Sequence, residues 1–435
     1  MLQRTRFVAV AALVVASTAG CWAMPGQGPR RQGYNPFETA ITVDNVDTLA
    51  PVWTTVVGAE DPGDDGQVRP APAGPPVVAS NGRVLVSTRD SLQSLNATTG
   101  ARQTLWSDWT VAQPHDLELF TTGDGRLGTG ARTGTFQQAT AWYDAATGAP
   151  TSGPHVGSIG SLRKPWIAGT SDFTDFNQGP TPVPVRFLHV RRLDDPGAGW
   201  QGRLGNGVGA SGVALTPTAV IQAGQGLTTG VPGDGTVRNG VRSFALEGTA
   251  VDCGAGATAD HACPEWYTPV DGTAAGPVVL SDDDATAYFT TDAGTLYAVA
   301  TADGTIRWSI AGAGPLATPA LADGVLLVPL AAGAVGAYDA DGCGAPTCTP
   351  LWTTAPAGDE ITQQPSVAGG VVFTSDADGT LAAYDLAGCG EATCDPLWVE
   401  ELGAGITGAP AISLGHLYAG LEDGRVVAFA PQPAP

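Results

Sequence analysis

Seven cysteines carry the clearest chemical signal in this chain. Six of them form three close pairs: Cys253 with Cys263, Cys343 with Cys348, and Cys389 with Cys394. Cys343-Gly-Ala-Pro-Thr-Cys348 and Cys389-Gly-Glu-Ala-Thr-Cys394 are near copies. Thiols at this spacing either close a small loop or supply half of a zinc site. Zinc takes four ligands, usually from Cys-x2–4-Cys pairs brought together or from a following His pair. Here no His follows at ligand spacing. Local disulfides are therefore expected. By the chain-entropy model each contributes about 2 kcal/mol at most, and they place the chain in an oxidising compartment outside the cytoplasm.

Cys21 stands apart from these pairs, and the leader before it gives it a different chemistry. Arg4 and Arg6 precede an apolar core from Phe7 to Ala16, followed by Ser17-Thr-Ala-Gly-Cys21. This is the pattern of a secretory signal rather than of a membrane span. Small residues before a Cys resemble a bacterial lipobox, with Thr18 where Leu is usual. The reading is a signal peptide over residues 1–20, lipidation at Cys21, a flexible tether over 21–34 and one folded domain over 35–431. Ordinary cleavage after Ala19 or Ala23 is the alternative.

The remaining motifs read as structure. His115, His155, His189, His261 and His416 are scattered; His115 adjoins Asp116 and His189 lies near Asp194, but no nucleophile is presented to either. Gly123-Asp-Gly-Arg-Leu-Gly128 matches a dinucleotide fingerprint, yet it lies between two strand-like runs and reads as a hairpin turn. Asp282-Asp-Asp284 and Asp376-Ala-Asp378-Gly379 offer oxygen ligands for Ca²⁺ without the Glu of a calcium loop. Asp-Gly at strand ends is ordinary hairpin chemistry. No metal site is expected.

Charge narrows the partners. The net charge is −22 with a single lysine, Lys164. Nucleic acid is disfavoured, because neutralising phosphates needs a basic surface. From residue 250 onward Arg307 and Arg425 are the only basic residues. By contrast, Arg102, Arg126, Arg132, Arg163, Lys164, Arg186, Arg191, Arg192 and Arg203 crowd into residues 100–205. That sector also holds Trp109, Trp142, Trp166, Phe173, Phe176 and Phe187. Trp and Arg dominate binding hot spots. Trp109, Trp142, Trp166, Arg163, Arg191 and Arg192 are therefore the candidate binding residues, set against the reading that they pack between repeats.

The elements that must position these residues come from an internal repeat of about 45 residues. Pro277, Pro319, Pro365 and Pro410 begin successive units, and Trp266, Trp308, Trp352 and Trp398 end successive units, the first of them the unit before Pro277. Between these marks run four short apolar segments punctuated by Gly and Asp-Gly. Four short strands per repeat indicate a β-propeller blade, which must stack on its neighbours to bury its faces. The Trp ladder continues back through Trp200, Trp106 and Trp53, with one Trp missing between Trp106 and Trp200. The gap from Trp200 to Trp266 implies an insertion, assigned to Gln225 to Asn239. The last unit stops before its Trp, so the strand at Leu49 to Val56 is expected to complete it. The fold class is all-β, an eight-bladed propeller closed by an N-terminal strand, with seven blades as the alternative.

Leu95-Asn-Ala-Thr-Thr-Gly100…Trp106, Trp142-Tyr-Asp-Ala-Ala-Thr-Gly148 and Tyr297-Ala-Val-Ala-Thr-Ala-Asp-Gly-Thr-Ile-Arg-Trp308 resemble the pyrroloquinoline-quinone-type (PQQ-type) propeller repeat. That family includes quinoprotein dehydrogenases and non-enzymatic envelope lipoproteins. The dehydrogenases carry adjacent disulfide-bonded cysteines and an acid–amide–acid set for Ca²⁺ or a lanthanide; this chain has no Cys-Cys pair. The resemblance implies a monomeric, non-catalytic scaffold. It would be held by a lipid at the outer face of the cytoplasmic membrane, bind envelope proteins or an extracellular ligand, and carry no cofactor. A PQQ-and-Ca²⁺ dehydrogenase-like enzyme, and a glycan or small-molecule sensor using the aromatic and Arg-rich sector, are the alternatives.

Overall fold

The computed structural model describes residues 22, 24, 26–57, 60–62, 68–70, 72–79, 81–88, 91–106, 119–133, 137–175, 183–206, 211–227, 237–247, 263–274, 276–314, 317–331, 333–361 and 363–433. They form eight blades, each an antiparallel sheet of four strands in which neighbours in sequence pair with each other. Blade 1 begins at Val77–Ala79, blade 2 at Leu119–Thr121, blade 3 at Ser158–Arg163 and blade 4 at Ser211–Leu215. Blades 5 to 8 begin at Val279–Leu280, Ala320–Ala322, Ser366–Ala368 and Ala411–Ser413. First strands of blades 1 and 2, 3 and 4, 6 and 7, 7 and 8, and 8 and 1 touch one another, so the first strands line the axis and the fourth strands form the rim.

Blade 8 takes its outer strand from Leu49–Val56, paired antiparallel with Arg425–Pro431. The expected ring closure is therefore present. It removes an open sheet edge, which would otherwise be free to pair with another chain. Blade 2 supplies the missing ladder position: its outer strand is only Pro150–Thr151 and carries no Trp.

The rim tryptophans join each blade to the next. Trp53 Nε1 donates to Ala97 O at 3.0 Å, Trp200 to Ala245 O at 3.2 Å, Trp266 to Thr301 O at 3.1 Å and Trp398 to Leu49 O at 3.2 Å. All four acceptors belong to the following blade. The repeated Asn/Asp-x-x-Thr-Gly makes the turn that receives the ring. Asn96 Oδ1 accepts from the amides of Thr98 and Thr99, and Asp144 Oδ1 from those of Ala146 and Thr147. Gly100 then turns at φ +67°, and a Cβ there would sit 2.6 Å from the Trp53 ring. No other residue type offers both that conformation and that space.

The disulfides Cys343–Cys348 and Cys389–Cys394 both form, each with Cα atoms 5.6 Å apart. Their loops reach across the blade boundary. Ser309 N, on the rim of blade 5, donates to Pro346 O. On the rim of blade 6, Thr353 and Thr354 pair in parallel with Thr393 and Cys394. Each bridged loop thus covers the outer edge of the preceding blade. Cys263 is also disulfide-bonded; Cys253 and Cys21 lie outside the described residues.

In place of the expected flexible tether, Trp22, Met24 and residues 26–35 are packed against the hub. Trp22 is 1% exposed and Met24 3%. Four carbonyls of this segment accept from amides at equivalent places in four first strands: Trp22 from Val78, Arg30 from Leu280, Gln32 from Leu321 and Gly33 from Val367. Tyr34–Asn35 then lies parallel to the first strand of blade 7. The physical reason is that inner strands present one unpaired backbone edge to the axis, where buried amides need acceptors.

Candidate functional site

The two ends of the ring differ. The turns between first and second strands and between third and fourth strands share one end, the turn face. The hairpins between second and third strands share the other, the hairpin face. In blades 1, 5, 6, 7 and 8 the second strand has five residues, as in Arg83–Ser87 and Val371–Ser375. In blades 2, 3 and 4 it runs over Arg126–Thr133, Trp166–Asp175 and Ala219–Leu227, with eight, ten and nine residues. At ~3.3 Å per residue the three hairpins stand roughly 10–17 Å beyond their neighbours. They form a raised crown over three consecutive blades.

The crown is braced from inside. Arg242, fully buried, donates to the carbonyls of Gly224, Gly226, Arg238 and Gly240 within the blade 4 hairpin. Its guanidinium also lies 4.7 Å from the centre of the Tyr267 ring. Burial pulls its pKa down to about 10, still well above neutrality, so it remains a cation. Four carbonyls converging on one cation fix the twist of the paired strands. The expected insertion at Gln225 to Asn239 falls on this hairpin, with residues 228–236 outside the described set. Part of the extra length also lies between Ala245 and Trp266, the stretch that holds Cys253 and Cys263.

The residues singled out from the sequence lie elsewhere. Trp142 is 4% exposed and donates to Pro154 O at 2.8 Å. Trp166 is 9% exposed, with Arg192 over its ring at 5.4 Å. Arg192 pairs with Asp194 at 2.8 Å, and that bond holds its pKa up. Arg191 donates to Gln201 Oε1, while burial lowers its pKa. Arg163 reaches Leu215 O and both oxygens of Asp284. Trp166, Arg163 and Arg192 thus sit at the turn face, engaged with the ring, and Arg126, over the Trp142 ring, donates to Leu193 O beside Arg192. Trp109 lies outside the described residues.

The Asp clusters are similarly absorbed. Asp376, 3% exposed, accepts the amides of Asp378, Gly379 and Thr380 on Oδ1 and of Asp359 on Oδ2. It builds a turn. Asp283 accepts from Ser281 and Ala285, and Asp284 from Arg30 and Arg163. Burial pushes Asp284 up, but the hydrogen bonds from Arg163 and Arg30 outweigh it and the pKa is lowered. Gly123 and Gly125, both at positive φ, make the first turn of blade 2 rather than a phosphate loop.

One pairing was missed from the sequence. Ser171 Oγ and His189 Nε2 share a hydrogen bond of 2.7 Å across neighbouring strands of blade 3. Their separation in sequence hid it; only the strand register brings them together. Burial, aided by Arg191, holds His189 at about 4, so it is neutral. A neutral imidazole accepting from a serine is the arrangement that activates a nucleophile, but a base this weak draws the proton poorly at neutral pH. The pair satisfies polar groups beside Gly157, where blade 3 follows blade 2.

A PQQ enzyme would hold its metal through carboxylate and amide oxygens near the axis. Among the described residues no group of three His, Cys, Asp or Glu side chains is arranged to hold a metal ion. No described helix is long and apolar enough to cross a membrane.

Comparison with known proteins fits this geometry. The family model described as outer membrane protein assembly factor BamB matches residues 249–345 and 343–433. No curated protein matches the sequence. Among solved structures, quinohemoprotein alcohol dehydrogenase ADHIIG from Pseudomonas putida HK5 is similar at 13% identity and a TM-score of 0.67, over 97% of this chain and 82% of that one. A europium-containing methanol dehydrogenase is similar at 14% identity and a TM-score of 0.65, over 96% and 99%. BamB from Moraxella catarrhalis is similar at 14% identity and a TM-score of 0.54, over 88% and 99%. At such identities the structures speak for the fold alone, and the enzymes and the assembly factor share it. With eight stacked blades, the Trp-to-turn joints and the matched repeat in its C-terminal half, the chain is an eight-bladed β-propeller whose residues 249–433 match PQQ-like repeats.

Proposed function

We propose that this protein is a non-catalytic scaffold of the cell envelope that binds other proteins through the raised crown of blades 2–4. The observation that carries the reading is that three adjacent hairpins, and only those among the described blades, are extended on one face. Loops and hairpins on a rigid ring are where binding is placed, and the family model matched over the C-terminal half describes an assembly factor. The leader and Cys21 support export and a lipid anchor. With Trp22 buried immediately after it, the anchor would hold the ring close to the membrane surface.

The test is site-specific photocrosslinking from the three crown hairpins in intact cells, with the short hairpins of blades 5–7 as controls. Discrete adducts confined to the crown are expected; adducts absent from the crown, or equally frequent on the controls, overturn the reading. Mass spectrometry of the mature N-terminus tests lipidation, which Cys21→Ala should abolish.

A second reading, a quinoprotein-type enzyme, is favoured by the shared fold with the alcohol and methanol dehydrogenases. Titration of the oxidised protein with PQQ and Ca²⁺, with dye reduction against alcohols and sugars, separates the two. Stoichiometric binding with turnover would replace the scaffold reading.

A further inference from the structure

We propose that the hub of the propeller on its turn face is a binding site for a basic peptide segment, occupied in cis by Trp22, Met24 and residues 26–35. This site lies at the opposite end of the ring from the crown and goes beyond the function proposed above. Three observations carry it.

First, the contacts form the pattern of a ligand in a site. The amides of Val78, Leu280, Leu321 and Val367 meet the carbonyls of Trp22, Arg30, Gln32 and Gly33 at 2.9, 3.0, 2.8 and 2.7 Å. These donors belong to blades 1, 5, 6 and 7, so they are fixed by the ring and independent of the side chains that dock on them. Arg31 and Asn35 add bonds to the carbonyls of Gly160 in blade 3 and Ile412 in blade 8.

Second, side chains are read as well as backbone. Arg30 places Nε 2.9 Å from Asp284, whose carboxylate Arg163 also holds. Tyr34 hydroxyl lies 3.0 Å from both oxygens of Asp323, and Gln32 Nε2 2.9 Å from Asp282. Met24 packs with Phe120 and Ile159. Gly33, at φ +69°, passes so close that a Cβ would fall 2.5 Å from Pro365 O.

Third, charge is complementary. Arg30 and Arg31 are the charged residues of the segment, in a protein of net charge −22, and the turns around them present Asp282, Asp284 and Asp323. A competing partner would be a peptide segment carrying Arg and an aromatic residue.

The segment leaves the hub next to Phe37, which is 61% exposed, and that point allows a test in the folded, exported protein. A protease site is inserted at Phe37, the oxidised protein is cut, and a fluorescent peptide of residues 22–36 is added in excess. The expected result is that the cut ring keeps its fragment, exchanges it for labelled peptide under native conditions, and binds an Arg30→Ala peptide at least tenfold more weakly. The uncut protein should take up no label. A fragment that leaves only on global unfolding makes the segment an integral strand of the fold and overturns the proposal. Equal binding of the Arg30→Ala peptide removes its charge-reading basis. Asp284→Asn in the ring gives the reciprocal check: it should weaken the natural peptide and leave the Arg30→Ala peptide unaffected.

Discussion

Blades 5–8 and blades 2–4 are built from one repeat and have diverged in opposite directions. Blades 5–8 have short hairpins and regular sheets, bridged loops cover the rims of blades 5 and 6, and their second strands are buried throughout in blades 5 and 7. Blades 2–4 have second strands of eight to ten residues, a rim with one Trp missing and a seam that carries Ser171, His189 and Arg191. The regular half shows what the repeat needs in order to stack. The divergent half shows how much can be added at one face while that stacking survives, because additions between second and third strands extend beyond that face and leave the first strands in place.

The strongest test asks whether the two halves stack by the same physics. Trp398→Ala removes a buried ring and its bond to Leu49 O at the closure of the circle. It should cost about 3–5 kcal/mol in denaturant unfolding. Trp142→Ala, in the divergent half, should cost a similar amount, since Trp142 is equally buried and bonded to Pro154 O. A loss below about 1 kcal/mol at Trp142 would mean that its ring does not serve as packing, and the comparison would fail there.

Next comes the brace of the crown. Arg242→Met keeps the length of the stem and leaves the carbonyls of Gly224, Gly226, Arg238 and Gly240 without their cation. A loss of about 2–3 kcal/mol is expected, with faster amide exchange in Ala219–Leu227 and Val237–Ala245 and little change in blades 5–8. Uniform loss of protection around the ring would show that the crown is not a separable unit.

On the regular side, replacing Cys343 and Cys348 together by Ala should cost about 2 kcal/mol at most. Because the loop also covers the blade 5 rim through Ser309, exchange should rise at Ile306–Ala311 as well as in the loop. A change confined to the loop would reduce the bridge to a local staple.

These contrasts also explain what could be read in advance. The Trp ladder, the Asn/Asp-x-x-Thr-Gly turns and the blade count were legible because each rests on residues close in sequence doing one local job. The N-terminal closing strand was legible because the last unit lacked its Trp. For Trp142, Trp166 and Arg192 composition alone cannot tell an Arg stacked on a packed Trp from one facing a partner. The hub segment was hidden for a different reason. Its bonds run from its own carbonyls to strand amides, and backbone acceptors leave no mark on side-chain patterns. The Ser171–His189 bond depends on register, which shifts with every bulge.

That bond yields the finest test of the polar seam. His189 is held at about 4 in the folded protein by burial, with Arg191 adding to it, against an ordinary value near ~6.5 in the unfolded chain. Between these values the unfolded state binds the extra proton, so stability rises as pH increases from about 4 to about 6.5 and levels off above that. By this linkage the rise is at most about 3 kcal/mol. Carboxylates act in a separate window. For Asp124, burial pushes the pKa up but hydrogen bonds from Arg126 and Thr122 outweigh it and hold it at about 2, so its contribution is lost only as pH falls below the ordinary carboxylate range. His189→Gln keeps a polar partner for Ser171 and removes the titration. Unfolding free energy measured from pH 4.5 to 7 should lose its slope in the variant while matching the parent at pH 7. An unchanged slope would place the neutral imidazole elsewhere and return the seam between blades 2 and 3 to the same dry packing as the regular half.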